Sequence, residues 1–167
     1  QLHQNEANRS NQGVSPCSAE LALGSQPILK EPKIVENWVC WLEQRTGELG
    51  GNTLMIKPLG KSKVPCQELT PFPRNLRSRV HVYGGGIYDV VSNGNELLLV
   101  WIEAADGSLW YQTWRGISEP LLEKDLYLKE INQPICLSAK GSFLLADGFI
   151  DLGRMRWIGV MEKEGKD

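Results

Sequence analysis

Turn signals recur about every ten residues from Trp38 onward, and the segments between them are short and rich in β-branched and aromatic residues. That spacing leaves no room for a helix long enough to cross over a parallel sheet, which argues against an α/β fold and for an antiparallel meander. The expected strands are Trp38–Glu43, Thr53–Leu59, Gly86–Val91, Leu97–Glu103, Leu109–Arg115, Phe143–Ile150 and Arg156–Met161. Ser92-Asn93-Gly94-Asn95 reads as a tight hairpin turn in which Asn-Gly supplies the positive φ angles. Ala105-Asp106-Gly107 marks a second hairpin.

Within Leu109–Arg115, alternation places Leu109, Tyr111 and Thr113 on one face and Trp110, Gln112 and Trp114 on the other. Aromatic bulk on both faces requires cover on both, which stacked sheets provide. Leu121–Glu130 also carries some helical periodicity but lacks caps, so helix and strand both stay open there. Residues 1–18, rich in Gln, Asn and Ser and nearly free of large apolar side chains, read as a disordered tail. Residues 19–32 read as a connecting segment, and 33–167 as the sheet domain.

A net charge of −2 over 167 residues offers no field for a polyanion, so neither nucleic acid nor an anionic membrane is an expected partner. No apolar run approaches the ~20 residues of a spanning helix, and no secretory signal is evident, which favours a cytoplasmic location. The four cysteines lack metal-ligand spacing and read as inert thiols. No cofactor or metal site is expected.

Gly84-Gly85-Gly86 invites a phosphate-binding reading, but no Lys-Ser or Lys-Thr follows and no helix opens after it. A structural role, in positive φ or close strand approach, is favoured. His81 has the pKa of a ligand or general base, yet between Val80 and Val82 a hydrogen-bonded structural residue is the plainer reading. Arg77 and Arg79 suit a substrate carboxylate, or pairing with acids such as Asp89 or Asp147. No G-x-S-x-G elbow occurs, and of the two histidines His3 lies in the tail, so no residue is assigned a catalytic role.

The segment Glu68–Tyr88, ELTPFPRNLRSRVHVYGGGIY, resembles a signature of the prolyl oligopeptidase family, in its dipeptidyl aminopeptidase and acylaminoacyl-peptidase branch. The matching positions include Leu69-Thr70-Pro71, Asn75, Arg77, Ser78, Arg79, Val80, His81, Tyr83, Gly84, Gly85, Gly86 and Tyr88. Trp41-Leu42-Glu43 with Gly50-Gly51-Asn52 is similar to the start of that family's first propeller blade, and Ala146–Gly165 to its A-D-G-x-[IV]-D, R-x-R and V-x-E pattern. Val82 departs from the usual Glu, and Ala105–Trp110 from a D-Q-R-L-Y run. The resemblance implies an all-β fold: about three blades of an amino-terminal β-propeller, at 40 to 50 residues each. It implies a carboxy-terminal α/β-hydrolase partner domain, absent from these residues, whose serine site the propeller opens only to short peptides. The chain by itself is then expected to be inactive and to self-associate through exposed blade edges. The rival reading is a stand-alone interaction module presenting Trp101, Trp110 and Trp114.

Overall fold

The computed structural model describes residues 28–45, 50–61, 63–80, 86–118, 127–139 and 143–163. The proposed tail, His81, Tyr83, Gly84, Gly85 and residues 121–126 of the ambiguous segment lie outside them.

Three antiparallel sheets succeed one another along the chain. The first holds β1 (Leu29–Val35), β2 (Trp38–Gln44), β3 (Asn52–Pro58) and the short β4 (Gln67–Glu68). The second holds β5 (Tyr88–Asn93), β6 (Glu96–Ile102) and β7 (Leu109–Arg115), with β8 (Lys129–Glu130) and β9 (Ile135–Cys136) both pairing with β7. The third is a hairpin of β10 (Leu144–Asp151) and β11 (Arg156–Glu162), joined through a 3-10 turn at Leu152–Arg154. Apart from β9, which returns to β7, each sheet is thus a meander of neighbours in sequence order, and there is no α-helix among the described residues.

All seven expected strands form, with ends shifted by one or two residues. The structure adds β1, which crosses the boundary drawn at Lys33, and the two-residue strands β4, β8 and β9, too short to carry a periodic signal. Of the ambiguous Leu121–Glu130 segment, the described end is β strand, paired through Trp114↔Glu130 and Arg115↔Lys129. At the first hairpin the register Asn93↔Glu96 makes Gly94 and Asn95 the two loop residues. Gly94 takes φ +60 while Asn93 stays in the strand, so the turn has glycine first and sits one residue later than the Asn-Gly reading placed it.

The second sheet is covered on both faces, as the two-faced aromatic pattern of β7 requires. Every residue of β6 from Leu97 to Ile102 is buried. Leu97, Leu99 and Trp101 point into a core shared with Trp38, Cys40 and Leu42 of β2 and Leu54 and Ile56 of β3. Val100 and Ile102 point the opposite way, into a second core with Leu109, Leu145, Tyr111, Ile150 and Trp157. Three sheets stacked face to face with their first strands side by side make consecutive propeller blades.

The outermost faces of the stack are different. On the first sheet Leu29 and Ile34 are 60% and 71% exposed, beside the partly covered Val39, Trp41 and Met55. On the third, Phe149 pairs with Ile158, and Val160 lies next along the same face, all of them exposed. Trp157 faces inward, lying flat against two glycines: a Cβ on Gly148 would come within 1.8 Å of its ring, and one on Gly159 within 2.1 Å. Gly148→Ala should therefore dislodge the indole and cost roughly 1 to 3 kcal/mol, as overpacked sites do. Hydrogen exchange checks this: protection should fall in β10 and β11 while β2 and β6 keep theirs.

Candidate functional site

The residues singled out in the sequence lie where the sheets join, and their geometry starts from glycine. Gly50 and Gly51 adopt φ +29 and +90, a left-handed path that side chains rarely follow. This brings Gly51 so close to the Asn75 side chain that a Cβ would sit 2.5 Å from it. Asn75 Oδ1 accepts from the Asn52 amide at 2.9 Å, and Asn52 Nδ2 donates to the Leu76 carbonyl at 3.0 Å. The Asn75 amide in turn donates to the buried Glu103 carboxylate, 3.0 Å away. Two widely separated motif pieces, Gly50–Asn52 and Asn75–Leu76, thus close on each other and on the end of β6.

A second clasp joins the same segment to the third sheet. The Ser78 hydroxyl donates to the Leu145 carbonyl at 2.6 Å. Farther on, Gly86 and Asp147 bond reciprocally, the Asp147 amide donating to the Gly86 carbonyl at 3.0 Å and the Gly86 amide to Asp147 Oδ1 at 2.6 Å. Asp147 lies in a bulge of β10, between the pairs Ala146↔Val160 and Phe149↔Ile158, with φ +50. Aspartate tolerates that conformation better than most residues, and the bulge turns its carboxylate toward Gly86.

The third junction runs along the first strands. Asp89 of β5 accepts from Lys33 Nζ of β1 at 3.2 Å and from the Ile150 amide of β10 at 2.7 Å, so one carboxylate ties three sheets. Lys33 also donates to the Tyr88 carbonyl at 2.7 Å and lies 4.8 Å from the centre of the Tyr88 ring. Tyr88 donates its hydroxyl to the Glu31 carbonyl at 2.5 Å, and Glu31 Oε2 accepts from the Ile87 amide at 3.2 Å. Burial, with the Glu31 and Asp89 charges, drives the Tyr88 hydroxyl far above its ordinary range, so it stays a proton donor. Burial likewise pushes the Cys40 thiol up to about 12, keeping it un-ionised.

Neither arginine pairs with the acids suggested by sequence. Asp89 is taken by Lys33 and Asp147 by Gly86, while Arg79 donates to the Ala104 carbonyl at 2.7 Å and the Arg77 amide donates to the Ile102 carbonyl. Those acids were legible only as charges, and their backbone partners came together through the fold. The proposed tryptophan face is also not a surface: Trp101 and Trp114 are fully buried, and Trp110 is partly covered, under Arg74.

No family model and no curated protein matches the chain. Solved structures do. A puromycin-hydrolysing peptidase of Mycobacterium tuberculosis has 22% identity and a TM-score of 0.62 over 88% of this chain and 20% of that one. A puromycin hydrolase has 22% identity and a TM-score of 0.57, and a mutant puromycin hydrolase complexed with PGG has 21% and 0.60; each match covers 86% of this chain and 20% of the other. The fold is that of a partial β-propeller. The chain spans one fifth of the length of the structures it matches. No helix among the described residues is long and apolar enough to cross a membrane.

The junction has a pH signature of its own. Burial raises Glu31, against the opposing effects of the Ile87 amide and Lys33. A raised carboxyl contributes stability below its ordinary value of 4.5 and loses it as pH climbs through the folded value. Burial also pushes Glu68 up, but hydrogen bonds from Arg45 and Thr53 and the Arg45 charge outweigh it, leaving Glu68 below 4.5; its contribution is present above 4.5 and lost as pH falls through the folded value. Glu31→Gln keeps an acceptor for Ile87 and removes the half-buried charge. Its melting temperature should exceed the parent's at neutral pH, and scans repeated near pH 4 should find the gap closed.

Proposed function

We propose that this chain is the amino-terminal propeller portion of a serine peptidase of the prolyl oligopeptidase family, and that it admits short peptides to a carboxy-terminal α/β-hydrolase domain while having no peptidase activity itself. The observation that carries the reading is the reciprocal Gly86–Asp147 bonding. Two segments resembling the family's motifs, far apart in sequence, meet in one clasp between blades, so the motif residues serve the propeller and not a reaction centre. The fold shared with one fifth of two puromycin-hydrolysing enzymes supports the same assignment. No G-x-S-x-G elbow occurs in the sequence, whose two histidines are His3 and His81, so this reading assigns the chemistry to the partner domain.

A fluorophosphonate probe tests the inactivity directly. The 167-residue chain should remain unlabelled, and stoichiometric modification of any of its serines would overturn the assignment.

Self-association follows from the exposed outer faces. With Leu29 and Ile34 uncovered at one end of the stack and Phe149, Ile158 and Val160 at the other, the isolated chain associates through apolar surface that further blades would otherwise cover. Sedimentation velocity should show a weight-average mass that rises with concentration; a concentration-independent monomer with one cooperative melt would refute this.

A further inference from the structure

The rim where the first two sheets meet holds a hollow of about 300 Å³, bounded chiefly by Arg45, Phe72, Pro73, Arg74, Glu103 and Ala104. Its two cations are used very differently. The Arg45 guanidinium donates to the Arg74 carbonyl at 2.9 Å, to the Thr70 carbonyl at 2.8 Å and to Glu68 at 2.6 Å. Arg45 therefore holds the loop in shape and has little left for a ligand.

The guanidinium carbon of Arg74 lies over the Trp110 ring, 4.2 Å from its centre, and no carboxylate or carbonyl among the described residues accepts from it. The ring beneath is itself fixed. Trp110 stacks on the buried Trp101 at 6.4 Å and donates its indole N–H to the Ser108 hydroxyl at 2.8 Å. Glu103, the acid of the hollow, is occupied by the Asn75 amide and by the Trp101 indole N–H. A guanidinium resting over a ring still carries N–H groups for a planar acceptor, and two parallel N–H groups match a carboxylate. Beside it, Phe72, whose peptide bond to Pro73 is cis, is 60% exposed and offers an apolar surface.

We propose that this hollow binds a small carboxylate bearing an apolar or aromatic group, with Arg74 holding the carboxylate and Phe72 the apolar part. The site uses only residues of this chain, so it stands whether or not a hydrolase domain accompanies the propeller. It accounts for an arginine over an indole at a rim where no acid among the described residues pairs with it.

The test uses the whole chain and N-acetylphenylalanine, followed through the Trp110 indole N–H resonance, which is assigned by its loss in Trp110→Phe. The acid should shift this resonance saturably, and N-acetylphenylalaninamide, which has the same ring and no charge, should not. Arg74→Gln should weaken binding by about tenfold or more, the loss expected for charge-assisted hydrogen bonds, and Arg74→Lys should fall between, keeping the charge without the fork. Equal binding of acid and amide, no saturable shift, or an unchanged affinity in Arg74→Gln would overturn the proposal. So would inorganic phosphate binding as tightly as the acid. The acid-against-amide comparison is made on the unaltered chain, so the proposal stays open to refutation even where a variant melts early.

Discussion

The structure depends on satisfying polar groups where the first strands of three sheets converge. β1, β5 and β10 approach one another with no shared ladder, so the bonds that join them come from side chains. Asp89 supplies the central ones, taking Lys33 from one neighbour and the Ile150 amide from the other. Its side chain is only 14% exposed, so a carboxylate there without both donors would be a costly buried charge. Around it, Glu31 with Ile87 and Tyr88, and Gly86 with Asp147, repeat the device: a side-chain or backbone acceptor of one blade takes an amide or hydroxyl of the next.

Hydrophobic burial supplies the bulk of the cohesion, and the polar junctions fix its geometry. Two cores flank the second sheet, and its strands pass between them with no solvated face. Apolar cores alone leave blade-to-blade rotation loosely defined, because dispersion and water exclusion are non-directional. Hydrogen bonds at the inner strands and at the Gly51–Asn75 clasp are directional, and they fix how each blade lies on the next.

The strands were readable because alternation and turn chemistry are local. Trp38–Gln44 and Glu96–Ile102 announced themselves through apolar runs bounded by turns, and the buried faces of Leu109–Arg115 through aromatics on both sides. Strand β1 was not, because Leu29-Lys30-Glu31-Pro32 breaks the alternation and β1 pairs across a register shift between Lys30 and Lys33. The partners of Arg79, Asp89 and Asp147 were hidden for another reason. Each bonds to a backbone group or to a residue far along the chain, and no spacing in a sequence encodes such a neighbour.

The order of local elements, the two-faced burial of the second sheet and the motif resemblance were fixed by the amino-acid sequence, because they rest on side-chain period and on residue types at short range. Only the folded chain decided that Trp101 and Trp114 are core and not surface, that Gly86 meets Asp147, and that Arg74 lies over Trp110. These are relations between blades. They arise when the sheets stack, and stacking is set by shape and by polar satisfaction over distances that no local pattern spans.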